Sequence, residues 1–324
     1  MKPRWRGNSG LATGGPIWFP GTNLNEFWAR EIDMGRLPRR AALLLAPLLL
    51  ALAIAAPVSA RAEDALDRIA RTGEIRLAVR ADAPPFSFTG PAGEPEGFSV
   101  DLCRAVVAEA ALRLNRPVTP RFVPVTGATR LQVIEQGGAD ILCEATTETL
   151  SRRERMEFTL VTFLTGQVLA VRRDSPLALG DETELPRRIG VLRGSTAEST
   201  LREALNATPG RSIAVGFDSH DLAIDAILSG AVDAYAADRE IILAQMFARG
   251  AQDLIAISRT PLSFEPYALA LPPGERRLRV VADRALSSLY RTGAIGDIVT
   301  KWFGDRAWSD PTVRLVYRLQ ALPE

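Results

Sequence analysis

The chain of 324 residues contains one histidine, His220, and two cysteines, Cys103 and Cys143, at no spacing that a zinc site uses. Zinc needs thiolates or imidazoles clustered at short intervals, so a zinc centre is excluded, and no metal or cofactor is expected. A G-x-S-x-G nucleophile motif is missing, and His220 has no assigned serine partner, which argues against a serine hydrolase. Concentrated charge is missing too. The formal net charge is +1, and removing the first 62 residues, with eight Lys/Arg against three Asp/Glu, leaves 31 basic against 35 acidic, or −4. A phosphate-binding surface needs basic residues in excess on one face, so a nucleic-acid partner is excluded. Nor is there an apolar run as long as the roughly 20 residues of a membrane-spanning helix.

The longest apolar run, residues 41–56, sits in "MGRLPRRAALLLAPLLLALAIAAPVSARAED" from Met34. Basic residues, an apolar stretch and then small residues make a secretory signal peptide, residues 34–62, with Ala60-Arg61-Ala62 as its cleavage site. Residues 1–33 lack apolar periodicity and would bury that signal behind a leader, so Met34 is read as the start. Export to the periplasm follows. An oxidising compartment admits a Cys103–Cys143 disulfide as readily as two buried thiols.

The chain is 47% hydrophobic and 24% charged, the make-up of a globular protein. Strand-like and helix-like segments alternate along the part after the signal peptide: "EIRLAVR" (74–80), "FSVDLCRAVVAEAALRLN" (98–115), "VTPRFVPV" (118–125), "ATRLQVIEQ" (128–136), "ADILCEA" (139–145). A second series runs from "RIGVLRG" (188–194) to "DLIAIS" (253–258), and a helical tail covers 276–305. This is the pattern of two open α/β sheets. "VIEQGGADILCEA" and "AILSGAVDAYAAD" superpose at an offset of 93, matching Gly137 with Gly230 and Asp140 with Asp233. Each reads as a helix end, a glycine cap and a strand whose carboxyl end carries polar residues, the place where open α/β sheets bind ligands.

Those ends carry a chemically coherent set. Thr147 and Arg152 follow the first strand, and Asp238 ends the second. Ser195 and Thr196 open a helix in "GVLRGSTAESTLREAL", with Glu198 placed for a capping box. A guanidinium grips a carboxylate in a fork, hydroxyls and helix-start amides complete it, and a carboxylate answers an ammonium. The set suits a zwitterion.

The stretches "VRADAPPFSF", "EGFSVDLCRAV", "DILCEATTETLSRRERMEFT", "GVLRGSTAE" and "SGAVDAYAADR" together resemble the periplasmic solute-binding proteins of polar amino-acid ABC transporters, the type-II family 3 group. The resemblance spans about residues 70–305. It implies two lobes closing on a free amino acid, with lobe 1 at 63–167 plus 266–324, lobe 2 at 173–259, and hinge segments at 168–172 and 260–265. It also implies a monomer that delivers its ligand to an inner-membrane ABC permease.

By the same resemblance Arg152 and Thr147 hold the α-carboxylate with Ser195 and Thr196, and Asp238 holds the ammonium. Arg153 and Arg155 are left as solvated charges. Arg80 and His220 resemble residues that hold a distal carboxylate in glutamate- and aspartate-binding members, so an acidic ligand is expected. Phe86, with Phe88 and Phe163 as further apolar cover, and Thr165 complete the expected ligand set. Glu144, where many relatives have glycine, counts against an acidic ligand. It is also the candidate acid of the rival reading, a cyclohexadienyl dehydratase on the same fold; a ligand-sensing binding protein would share every site residue.

Overall fold

The computed structural model describes residues 63–176, 186–207, 210 and 212–323. The expected leader and signal peptide lie outside them. Among the described residues no helix is long and apolar enough to cross a membrane.

The strands in chain order are β1 (Glu74–Val79), β2 (Asp82–Ala83), β3 (Ser87–Thr89), β4 (Pro95–Glu96), β5 (Thr119–Pro124), β6 (Ile141–Leu142), β7 (Glu157–Arg172), β8 (Arg188–Leu192), β9 (Ile213–Phe217), β10 (Ala234–Asp238), β11 (Ile255–Ile257) and β12 (Ser263–Leu271). Nine of them form one sheet in the order β5-β1-β6-β12-β7-β10-β8-β9, with β11 beside β7, and β2, β3 and β4 form a small second sheet. The large sheet has an internal symmetry. β5, β1 and β6 are parallel and border the antiparallel β12, as β9, β8 and β10 are parallel and border the antiparallel β7. Near-continuous apolar strands such as "RIGVL" and "AYAAD" suit parallel strands covered on both faces.

The repeat seen in the sequence is a structural one. Gly137 and Gly230 take positive φ, 65° and 74°, where each chain turns from helix into strand. The aspartate that follows closes the same bond in both copies. Asp140 accepts from the Arg76 amide at 2.7 Å and from its guanidinium at 2.6 Å, and Asp233 accepts from the Arg188 amide at 2.8 Å and its guanidinium at 3.1 Å. A carboxylate thus ties the start of the third parallel strand to the first in each half.

The long strand β7 changes partner near its middle. Its first part pairs with β12 up to Gln167↔Ser263, and from Gln167 onward it pairs with β10, then β11. The change of partner falls at Gly166–Gln167. Residues 168–172, expected as a hinge segment, are strand, with Val168–Val171 paired with Ala234–Ala237 and Arg172 with Ile255, and Ser263–Glu265, within the expected 260–265 segment, pair with Thr165–Gln167. Irregular register at Tyr267–Ala270 bends this ladder, and side chains take the backbone groups it frees. Tyr290 donates to the Val161 carbonyl and Tyr317 to the Thr162 carbonyl, both at 3.0 Å, and Gln320 accepts from the Val161 amide at 2.7 Å. The carboxyl-terminal helices Arg276–Thr292 and Pro311–Leu319 are thereby bolted to the sheet.

Cys103, on the helix Phe98–Leu114, and Cys143, just past β6, are joined in a disulfide, and neither is exposed. The next residue is held to the same helix, because Ser99 Oγ donates to the Glu144 carbonyl at 3.0 Å. The strand end that opens the cleft is fixed at two successive positions.

Candidate functional site

All six parallel strands of the large sheet point their carboxyl ends at one cavity. Arg80 and Asp82 follow β1, Arg130 follows β5, and Glu144, Thr147 and Arg152 follow β6. Gly194 to Ala197 follow β8, His220 follows β9, and Asp238 ends β10. Thr147, Arg130, Arg152, Ser195, Thr196, Ala197, His220 and Asp238 line the cavity, with Leu192, Ile241 and alanines as apolar walls. This is where the topology of open α/β sheets puts ligands.

Arg152 is the buried member of its arginine cluster. It is 6% exposed, whereas Arg153 pairs with Glu148 and Arg155 with Glu135 at the surface. The short helix Leu150–Arg153 accounts for the difference, since Thr149 caps it through the Arg152 amide and one turn cannot send three side chains inward. Arg152 donates to the Thr147 carbonyl at 2.7 Å and to the Gly194 carbonyl at 3.3 Å, which aims the guanidinium along the cavity wall. Burial, with the charge of Arg130 nearby, lowers its pKa to about 10, so it stays cationic at neutral pH.

Opposite it the helix Thr196–Ala207 begins at the cavity. Ser195 Oγ accepts from the Glu198 amide at 3.1 Å, and Glu198 reaches back to the Gly194 amide at 2.8 Å. The expected capping box is present with its return bond one residue earlier. It leaves the first-turn amides of Thr196 and Ala197, which have no partner inside a helix, at the cavity. The Thr196 hydroxyl is itself engaged, donating to Glu265 at 2.9 Å and accepting from Gln167 at 2.8 Å. Gly194 needs both of its freedoms. It takes φ +71°, and a Cβ there would stand 3.2 Å from the Gly127 carbonyl across the cavity.

Asp238 precedes the helix Arg239–Ala248 without capping it through its side chain. Its Oδ2 accepts from the Tyr267 hydroxyl, and its buried Oδ1 has no partner. Burial raises its pKa to about 7, an effect the Tyr267 bond opposes and the carboxylates of Glu265, Glu240 and Glu144 increase. A cation beside it would favour the ionised form.

His220 is buried, with Nδ1 2.7 Å from Tyr235 Oη and Nε2 unpartnered at the cavity wall. Burial and the charges of Arg80 and Arg130 push its pKa well below the usual value, so the ring is neutral. Nε2 offers an N–H where Tyr235 donates to Nδ1, and a lone pair in the other tautomer.

Arg80 is not among the cavity-lining residues. It forks onto Asp82 at 2.9 and 2.8 Å, and its Nη1 stands 3.7 Å from Glu144 Oε2. Phe86 and Thr165 also stand away from the cavity wall. Phe86 is fully buried in an aromatic cluster with Phe163, Tyr267 and Phe303 at 5.2, 5.1 and 5.5 Å, so it supports the site from below, and Phe88 packs on Trp302. Thr165 donates to Glu240. Arg130, absent from the expected set, lines the cavity. The signal for it was positional, because it follows the carboxyl end of a parallel strand as Arg152 does. Tyr235 and Tyr267, which orient His220 and Asp238, left no local signal.

Contacts cross the cavity at several points. Gly194 O receives both Arg130, at 3.2 Å, and Arg152. Asp82 receives the His220 amide at 3.3 Å and, on its carbonyl, Gln245 at 3.2 Å. Among the described residues no group of three or more His, Cys, Asp and Glu could hold a metal ion.

Residues 75–305 match the bacterial extracellular solute-binding proteins, family 3. The L-glutamate/L-aspartate-binding protein of Pseudomonas aeruginosa is 30% identical over 265 residues, covering 80% of this chain and 87% of that one. The ABC transporter glutamine-binding protein of Bacillus subtilis is 26% identical, covering 74% and 85%. Among solved structures, an ancestral amino acid-binding protein described as a precursor of cyclohexadienyl dehydratase superposes with a TM-score of 0.64 at 25% identity, covering 74% of this chain and 99% of that one.

Proposed function

The chain belongs to the bacterial extracellular solute-binding proteins, family 3, and on that premise we propose that it binds one free polar amino acid in the periplasm and delivers it to an inner-membrane ABC permease. It acts as a monomer, exported through its cleaved signal peptide. The observation that carries the reading is the pair of buried groups lining one cavity from the two halves of the sheet, Arg152 with free donors and Asp238 with an unpartnered oxygen. Arg152, the Thr196 and Ala197 amides and the Thr147 hydroxyl take the α-carboxylate, and Asp238 Oδ1 takes the ammonium. Because these groups come from both halves of the sheet, the ligand stabilises the closed form by differential contact.

The P. aeruginosa relative is named for glutamate and aspartate, which favours an acidic side chain. Against that, Arg80 already forks onto Asp82, so the fork expected to grip a distal carboxylate is occupied. The dehydratase reading is weakened by Glu144. Its carboxylate is held by Arg130 at 3.0 Å and by the Thr146 hydroxyl, and it is not among the residues that line the cavity, so it is not placed to meet a substrate.

A thermal-shift screen of the protein purified from the periplasm of an expression host, against the L-amino acids, tests the function. Stabilisation by an amino acid is expected, and arogenate and prephenate should emerge unchanged. Absence of stabilisation by every amino acid would reject the reading.

Binding should also depend on pH. In the unliganded protein Asp238, with its pKa near 7, keeps a proton that the unfolded chain loses from about pH 4 upward, so this group makes stability fall as pH rises between those values. The ligand's ammonium needs the ionised form. Affinity should therefore rise with pH to a plateau above 7 and be about tenfold weaker at pH 6, the competent fraction having dropped by that factor. Titration calorimetry in buffers of different ionisation enthalpy would register the proton released on binding at pH 6.

A further inference from the structure

Beneath the cavity lies a wall of four charges, Arg80 and Arg130 against the buried Glu144 and the half-buried Asp82. Arg130 and His220 bring it to the cavity surface. Glu144 is 1% exposed, Arg80 and Arg130 are each 3% exposed, and Asp82 is half-buried. Glu144 Oε1 accepts from Arg130 Nε at 3.0 Å and from the Thr146 hydroxyl, while Oε2 has no hydrogen bond and faces Arg80 Nη1 at 3.7 Å. Two guanidiniums and a hydroxyl around one carboxylate are what a carboxylate-bearing ligand side chain would itself require. The side chain that fills this place belongs to the protein.

We propose that Glu144 is a resident carboxylate occupying the two-arginine subsite, and that it sets specificity by turning away acidic side chains. This rests on the amino-acid site proposed above. The charges of the wall then sum to zero, two positive and two negative, and the neutral His220 adds none. Arg152 and Asp238 match the two charges of an amino acid backbone. A second carboxylate brought by glutamate or aspartate would meet Arg130, whose guanidinium already serves Glu144 behind it, and would have to share that cation with a resident carboxylate. A lysine or arginine side chain would meet Arg130 at the surface. The site therefore accepts an amino acid whose side chain is polar and uncharged, with His220 Nε2 as the hydrogen-bonding group at its end.

The placement of Glu144 is built rather than incidental. The disulfide at Cys143 and the Ser99 bond to the Glu144 carbonyl fix the backbone on both sides of its Cα, and β6 pairs with β1, whose end carries Arg80. The side chain is delivered between the arginines by fixed backbone.

The test compares L-glutamine, L-asparagine, L-glutamate and L-aspartate by titration calorimetry on the wild-type protein and on Glu144→Gln and Glu144→Ala. The wild type is expected to bind an amide amino acid at least tenfold more tightly than the matching acid. Both variants should shift the acid-to-amide affinity ratio toward the acid by about 100-fold. The isosteric Glu144→Gln keeps the shape should the alanine variant fold poorly, and the wild-type ratio needs no variant. A wild-type preference for the acids, or a ratio unmoved in Glu144→Gln, overturns the assignment of Glu144 while leaving the amino-acid site standing. No response to any amino acid from wild type or variant overturns the site, and the assignment with it.

Discussion

Arg152→Ala is expected to weaken amino-acid binding by about 10²–10³-fold while Arg153→Ala leaves it unchanged. Truncating one partner of a buried, hydrogen-bonded charge pair costs about 2–5 kcal/mol, and every 1.4 kcal/mol is tenfold in affinity. Arg152 is buried and aimed by the carbonyls of Thr147 and Gly194, whereas Arg153 stands at the surface on Glu148. The loss should exceed that of one contact, because Arg152 also reaches across the cavity to Gly194, so the closed form weakens with the ligand site. Equilibrium titration of both variants checks this, with circular dichroism confirming that each is folded.

Asp238→Asn should separate stability from function. The unliganded wild type carries a buried carboxyl whose ionisation is resisted by burial and by the charges of Glu265, Glu240 and Glu144. An asparagine keeps an oxygen for the Tyr267 hydroxyl and removes that ionisation, so the variant's Tm at pH 8 should be higher than the wild type's. The same change leaves the ligand ammonium without its counter-charge. Affinity should fall about 100-fold, as for removal of one member of a desolvated pair, and the pH dependence between 6 and 8 should vanish with it. Scanning calorimetry reads the first effect and titration across pH the second. A variant that lost stability and kept its affinity would place the ammonium elsewhere.

Much of this architecture is legible in the chain. The strand–helix alternation and the offset repeat at Gly137 and Gly230 locate the two half-sheets, because each copy needs the same left-handed glycine and the same aspartate to close on an arginine in its first strand. Arg152, Thr147, Ser195 and Asp238 are legible as a group for a topological reason, since parallel strands deliver their carboxyl ends to one side of a sheet.

What stayed hidden depended on long-range packing. Nothing local tells Arg80 that Asp82 will take its guanidinium, or that Phe86 will drop into an aromatic cluster with Phe303, more than 200 positions away. The change of partner at Gly166–Gln167 is hidden for the same reason, because β7 is one uninterrupted strand whose partners alone change. Glu144 was visible as an oddity, but its direction is set by a disulfide and by two arginines that follow separate strands, Arg80 after β1 and Arg130 after β5.

The central claim is that Arg152 and Asp238 hold the two ends of one zwitterion. It is tested most directly by titrating the wild-type protein with the amino acid that stabilises it best, with that amino acid's α-amide, and with the deaminated acid. Losing either end is predicted to abolish binding in the concentration range where the parent saturates, and Arg152→Ala should no longer distinguish the free acid from its amide. Binding of the α-amide or of the deaminated acid with the parent's affinity would contradict the account.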